Sequence, residues 1–304
     1  VQFEAIESEI NVGTNELIEN AERDLYQISE KGTSTSGIQT FTTAVEEAVE
    51  LAKKAFEKDS SVVGLSSHFR DLDNKLGGFH PSDLIIIAGR PSMGKTSLAT
   101  NIAFNIAQDA HINNDSDSSI LFFSLEMSSE QLATRILSEQ AKISSSDIRK
   151  GNLSENDLDS IVSVSKDILE IPLFIDDTPA INVGSISSRA RKLKRKNGLG
   201  AIVIDYLQLV RPSKSSKNET RVLEISDITQ SLKALAKELN IPVIALSQLS
   251  RQVEQRDDKK PQLSDLRESG SIEQDSDVVM FIFREEYYLE KNEPALGTSD
   301  YIEW

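Results

Sequence analysis

The chain has no cysteine, and its three histidines, His68, His80 and His111, are scattered without ligand spacing. Disulfides are excluded, as is any zinc site built on thiolates, so a bound metal would have to be held by oxygen. No apolar run approaches the roughly 18 residues that span a bilayer. The opening VQFEAIESEI has neither the basic nor the apolar region of a secretory leader. These absences lead to the expectation of a cytoplasmic protein with no membrane contact. Positive charge is also scarce: 33 Lys and Arg face 49 Asp and Glu, a net charge of −16. A field of that sign repels phosphates, which argues against a general polyanion binder and requires any nucleic-acid site to be local.

What is present is ordinary for a globular chain, with 38% hydrophobic and 27% charged residues over 304 positions. That length suits one large domain of about 200 to 250 residues plus an appendage. The division expected is a helical appendage over 1–60 and a core domain over 61–304. In the appendage, Leu17, Ile18, Ala21, Leu25 and Ile28 form one helical stripe, and Val45, Ala48, Val49, Ala52 and Phe56 form a second. Such faces pack either on their own domain or on a neighbouring subunit. From residue 62 onward, short β-branched runs alternate with helical segments, the pattern of a parallel sheet with crossover helices. Strands are expected at 84–89, 119–125, 171–176, 201–209, 241–248 and 277–284, and helices at 96–109, 129–142, 154–168, 184–196 and 220–239. Most of these strands are apolar on both faces, as buried parallel strands are. The fold class is therefore α/β, a mostly parallel twisted sheet flanked by helices and preceded by a helical linker.

The segment GRPSMGKTS comprises Gly89, Arg90, Pro91, Ser92, Met93, Gly94, Lys95, Thr96 and Ser97, and matches G-x-x-x-x-G-K-[ST] in full. It follows an apolar strand and precedes a helix, the context this phosphate-binding loop requires. Glycines let backbone N–H groups close round phosphates, and the helix N-terminus favours the anion. Lys95 reaches the β- and γ-phosphates, and the Thr96 hydroxyl ligates Mg²⁺. A Mg²⁺-nucleotide needs a second acid, which Asp205 supplies at the end of AIVID. Glu126, one residue beyond the strand SILFFSL, is the candidate general base, and Gln248, ending IPVIALSQ, the candidate γ-phosphate sensor. By position alone, Glu126 could instead be a helix-dipole acid and Gln248 a satisfied strand end.

The segments GRPSMGKTSLATNIA, FFSLEMSSEQLATRI, IVIDYLQL, SLKALAKELNIPVIALSQLSR and SDLRESGSIEQDSD together resemble the RecA-like motor domain of bacterial replicative DNA helicases, the DnaB family. The likeness covers roughly residues 62 to 288. It implies a hexameric ring that hydrolyses ATP or another nucleoside triphosphate with Mg²⁺ between subunits and moves along single-stranded DNA. It further implies primase and helicase-loader partners and a place at the replication fork in the nucleoid. It supports Lys95, Thr96, Glu126, Asp205 and Gln248 in the roles above. It also implies that Arg267, Glu268 and Gly270, in the family's RESG motif, face the channel and contact the DNA backbone. The helix at 15–30 is similar to the family's linker helix, which docks on the adjacent motor domain. Two departures stand out. The family's primase-binding N-terminal domain is largely missing, and a strand with a basic K-x-R finger, expected after residue 304, is not contained in this sequence. Fingers acting in trans typically contribute about 10³ to 10⁵ in turnover, so the expectation is a truncated chain that hydrolyses slowly alone.

Two basic segments compete as further DNA contacts. RPSKSSKNETR, with Arg211, Lys214, Lys217 and Arg221, reads either as a phosphate-tracking channel loop or as a solvated loop. RARKLKRK, where six of eight residues are basic, reads as a solvated face that complements a helix dipole. Neither contains an aromatic, so backbone contact with little sequence preference is expected. The acid-rich run LRESGSIEQDSD lacks the alternating ligands of a calcium loop, leaving Glu273, Asp275 and Asp277 to cap or solvate the approach to the last strand. The rivals are another RecA-like DNA-dependent ATPase of recombination or repair, a small-molecule P-loop kinase and a nucleotide-gated assembly protein. The RadA type needs a four-cysteine zinc module, and a kinase needs an arginine-rich lid; the first is excluded by composition and the second is not identifiable.

Overall fold

The computed structural model describes Ala21, Arg23 and residues 40–57, 62–212, 220–266 and 270–292. Among these, six strands form one sheet: β1 (Leu84–Gly89), β2 (Ile120–Ser124), β3 (Leu173–Asp176), β4 (Ala201–Asp205), β5 (Val243–Gln248) and β6 (Val278–Ile282). Their order is β3-β2-β4-β5-β1-β6, and every pairing is parallel. The parallel α/β architecture expected from the alternation of β-branched and helical runs is therefore observed.

The helices are α1 (Phe41–Glu57), α2 (Arg70–Leu76), α3 (Lys95–Ile112), α4 (Ser129–Ala141), α5 (Ser145–Lys150), α6 (Glu155–Ile168), α7 (Val183–Asn197), α8 (Arg221–Leu239), α9 (Gly270–Asp275) and α10 (Glu285–Asn292). Strand alternation splits the core in two. Leu84, Ile86, Ala88, Ile202, Ile204, Val243 and Ala245 pack with Ile186 and Ala190 of α7 and Ile225, Ile228 and Leu232 of α8. Ile85, Ile87, Phe122, Val203, Ile244 and Leu246 pack on the other side with Ala99, Ile102 and Ile106 of α3 and Leu132 of α4. Because both faces are covered, the central strands carry no polar alternation until their carboxyl ends. Full burial of one such side chain contributes about 1.5 to 3 kcal/mol. The edge strands β3 and β6 are only half-buried.

Several sequence expectations change. The run AIVIDYLQL is not one strand: β4 stops at Asp205 and Leu207–Leu209 form a 3₁₀ turn, with Leu209 N–H bonded to the Tyr206 carbonyl. A buried Leu207 fits either geometry, so apolar pattern alone did not separate them. The basic run of α7 is not simply solvated. Arg191, 5% exposed, pairs with Glu238 at 2.6 Å, Arg189 pairs with Asp176, and Lys194 donates to the Leu239 carbonyl. Of the acids expected to cap or solvate the approach to β6, two are bonded. Asp275 accepts from Thr229 Oγ1 at 2.5 Å, while Asp277 accepts the Leu84 N–H at 2.7 Å and pairs with Lys233. The face of α1 does not pack on the core: Phe41, Val45, Val49 and Phe56 are all exposed. Most of the candidate helix at 15–30 lies outside the described residues.

Candidate functional site

Five sequence candidates converge at the carboxyl edge of the sheet. The phosphate loop leaves β1 and runs into α3. Gly94 there adopts φ +95°, a left-handed conformation that side-chain-bearing residues seldom adopt, and open space lies where a Cβ would stand. Backbone conformation, and not crowding, therefore selects glycine. At Gly89 the reason is different: a Cβ would meet the Ile282 carbonyl of neighbouring β6 at 3.2 Å and the Lys95 chain at 3.3 Å. Lys95 Nζ folds back to donate to the carbonyls of Gly89, at 2.9 Å, and Arg90, at 3.1 Å. Burial holds its pKa below the usual lysine value, an effect opposed by the carboxylates of Asp205 and Glu126.

Asp205 ends β4 at 1% exposure, paired in register with Ser124 at the end of β2. Neither of its carboxylate oxygens makes a hydrogen bond of good geometry. Burial pushes its pKa up, and the nearby Thr96 hydroxyl opposes that rise. A buried carboxylate without a firm partner is costly, and here it sits beside the hydroxyl that the motif assigns to Mg²⁺. Among the described residues no group of three or more His, Cys, Asp or Glu side chains forms a cage. The donor set is then one carboxylate and one hydroxyl, completed by phosphates and water. That fits Mg²⁺, which is bound through few protein ligands.

Glu126 is placed by the turn beyond β2. The Leu125 N–H donates to the Asp205 carbonyl at 2.9 Å, and Ser124 Oγ donates to the Met127 carbonyl at 2.7 Å. The following helix α4 starts later, capped by Ser128 in a reciprocal box with Gln131. Glu126 is thus outside the first helical turn, which removes the helix-dipole reading. It lines a cavity of about 430 Å³ together with Pro91, Ser92, Lys95, Thr96 and Gln248. That size suits a small-molecule ligand. Larger hollows exist, one of about 700 Å³ near Leu65 and Phe79 and one of about 710 Å³ beside β6, yet neither contains the phosphate loop or the polar strand ends. Convergent chemistry, not volume, selects the site.

Three residues that the sequence reading passed over also line this cavity: Arg135, Tyr206 and Arg284. Arg284 lies just beyond β6, so the strand-end rule that picked Glu126, Asp205 and Gln248 would have found it. Arg135 sits mid-helix in α4, where local sequence gives no cue. Within the loop, Arg90 turns away from the cavity and lies buried against Glu254, at 2.9 Å, and the Leu249 carbonyl. Met93 is buried too. Their side chains therefore leave only the backbone of these two residues to face a ligand. Of the DNA candidates, Arg267, Glu268, Lys214 and Lys217 lie outside the described residues, and Gly270 opens α9. Arg211 is exposed, whereas Arg221 turns inward to Glu224 and the Gln208 carbonyl.

Comparison with known proteins agrees with this geometry. The chain is 52% identical over 304 residues to the replicative DNA helicase DnaB of Rickettsia typhi, covering 99% of this chain and 61% of that protein. It is 43% identical to the DnaB of Geobacillus stearothermophilus, covering 94% of this chain and 61% of that protein. The chain thus spans about three-fifths of the length of these relatives. Among solved structures, one ATPase domain superposes with a TM-score of 0.74 at 38% identity, over 82% of this chain and 86% of that one. A DnaB-like replicative helicase studied with its primase interactions gives 0.72 at 36% identity, over 91% of this chain and 64% of that one. The sheet and its helices are those of a RecA-like ATPase domain. A sequence profile of the DnaB-like helicase C terminal domain matches residues 64–302, and the chain belongs to that family.

Proposed function

We propose that this chain is the motor portion of a replicative DNA helicase, hydrolysing ATP or another nucleoside triphosphate to move along single-stranded DNA and open duplex at the replication fork. In this reading residues 61–304 form the motor, and residues 1–60 the helical linker and the tail of an N-terminal domain. The observation behind this reading is the meeting, at four adjacent strand ends, of Lys95, Thr96, Glu126 and Gln248 round one cavity, with Asp205 buried beside Lys95 and Thr96. The backbone of residues 89–97 holds the phosphates, and Lys95 leaves its carbonyl partners to meet the β- and γ-oxygens. Thr96 and Asp205 would hold Mg²⁺, which would supply neutralisation of charge on the phosphates. Glu126, exposed at the cavity wall, takes the proton of the attacking water. Gln248 contacts the γ-phosphate and registers its loss.

DNA contact falls to the backbone and side chains of Arg267, Glu268 and Gly270, with Lys214 and Lys217 tracking phosphates. The exposed apolar stripe of α1 fits a subunit that works inside an assembly, here a hexameric ring. The relative solved with its primase interactions makes primase the expected partner, alongside a loader. No helix among the described residues is long and apolar enough to cross a membrane. We place the protein at the cytoplasmic replication fork. The rival, a recombination or repair ATPase of the same fold, lacks support from the relatives, which are replicative. The test is ATP hydrolysis and forked-DNA unwinding by the full-length protein and by Glu126→Gln. Unwinding that is absent, or that survives the substitution, rejects the helicase reading.

A further inference from the structure

The 3₁₀ turn that replaces the expected extension of β4 folds Gln208 sideways over the end of β5. There its side-chain amide brackets the sensor's backbone. Nε2 donates to Ser247 Oγ at 3.0 Å and to the Gln248 carbonyl at 3.4 Å, while Oε1 accepts the Gln248 N–H at 3.3 Å. The N–H and carbonyl of Gln248 fix which end of the amide is which, since only this orientation satisfies both. The turn is itself closed by Leu209 and Val210 N–H groups donating back to Tyr206 and Leu207. Leu207 anchors it from beneath at 0% exposure.

The same residue faces the other way through its main chain. Arg221, the first residue of α8, donates from Nη2 to the Gln208 carbonyl at 2.6 Å, and its Nη1 pairs with Glu224 at 2.5 Å. One turn thus joins the strand end that carries Gln248 to the first turn of a 19-residue helix. Farther along that helix, Thr229 donates to Asp275 of α9. Each link is a hydrogen bond between groups that are at least partly buried, where such bonds are strong and well oriented.

We propose that Gln208 is a positioning residue that couples the nucleotide sensor to α8, so that a shift of Gln248 on losing the γ-phosphate is passed through Arg221 to the helix and on to α9. The inference rests on the helicase reading, because it supplies the route by which nucleotide state reaches the DNA-facing side. Coupling between sites travels through contiguous bonded networks, and it is demonstrated by energetics, not by adjacency. The measurable quantity is the ratio of single-strand-stimulated to basal ATP hydrolysis.

The experiment compares full-length wild type, Gln208→Ala, Arg221→Ala and the double variant, each checked by thermal melting for a native transition. Steady-state ATP hydrolysis is read with and without poly-dT, and poly-dT affinity is read with a non-hydrolysable ATP analogue and with ADP. Gln208→Ala should cut the stimulation ratio about tenfold and shrink the nucleotide-dependent difference in poly-dT affinity to a similar degree. Arg221→Ala, which leaves the bracket on Gln248 intact, should lower the same ratio. The double variant should be no worse than the stronger single, the mark of one pathway. A ratio equal to wild type in both single variants overturns the proposal. So does a loss confined to basal and stimulated rates in equal proportion, which is the outcome for a merely structural role. Additive effects in the double variant overturn it as well. Should Gln208→Ala fail to fold, Arg221→Ala decides alone by the same ratio. If wild type itself shows no stimulation by DNA, the helicase reading fails instead, and the two failures are distinct.

Discussion

Asp73 and Asp205 are both buried, and they are opposites. Asp73 of α2, 6% exposed, accepts hydrogen bonds from Ser66 Oγ and Ser67 Oγ at 2.7 Å, from the Ser67 N–H at 2.8 Å and from the His68 N–H at 3.1 Å. Burial alone would raise its pKa, but the Ser67 and Ser66 hydroxyls and the two backbone amides outweigh it and hold the group below the usual carboxylate range. Asp205 is more deeply buried, makes no well-formed hydrogen bond, and is pushed up. The first carboxylate is consumed by the fold, gathering the loop before α2. The second is left unsatisfied at a strand end, where a cation and a phosphorylated ligand can satisfy it. Burial by itself distinguishes nothing; the inventory of donors does.

The sharpest test of this contrast is turnover. Asp205→Asn should lower ATP hydrolysis about 10³-fold, or about 4 kcal/mol of barrier, as expected for losing the carboxylate that holds the metal. Asp73→Ala should leave the KM for ATP unchanged yet cost about 3 kcal/mol of stability in urea unfolding, since it strands several donors. An equal effect of both substitutions on turnover would erase the distinction. Next in size, Mg²⁺ with a non-hydrolysable nucleotide at about 100 times its Kd should stabilise wild type by about 2.7 kcal/mol. Asp205→Asn should show much less of this stabilisation in the same melts.

The smallest effect has the unusual sign. Without nucleotide or metal, Asp205→Asn should raise stability by about 1 kcal/mol, because it removes a buried charge whose desolvation Thr96 and Lys95 offset only in part. The pH dependence follows from linkage. The folded pKa of Asp205 lies above its ordinary 3.8, so the penalty is full above the raised value and disappears as pH falls toward 3.8. Wild type should therefore close the gap on the variant as the solution is acidified across that window. Asp73, held low, should behave in reverse, its contribution being lost below 3.8. A destabilised Asp205→Asn at neutral pH would mean the carboxylate has a partner, and the contrast would collapse.

Much of the site was legible in the sequence because its chemistry sits at strand ends, and strand ends follow apolar runs. Gly89 to Ser97, Glu126, Asp205 and Gln248 all obey that rule. Gln208 escaped it, since YLQL continues the apolar texture of β4 and only the structure shows the chain turning. Arg221, which the sequence leaves open between a channel loop and a solvated one, is out of reach for a related reason: its acceptor, the Gln208 carbonyl, lies 13 residues away. Arg191 failed likewise, its partner Glu238 lying 47 residues on. Partners at long sequence separation leave no local trace, so the fold and the catalytic ends were readable and the wiring between them was not.

The clasp of Arg90 to Glu254 and to the Leu249 carbonyl has a thermodynamic side. It pins the second residue of the phosphate cradle to the segment following β5. The configurational freedom of that stretch is surrendered when the chain folds and not when ligand arrives. Nucleotide binding then meets a smaller entropic penalty. Weakening the clasp with Glu254→Ala should appear in calorimetry as a less favourable binding entropy with a nearly unchanged set of phosphate contacts.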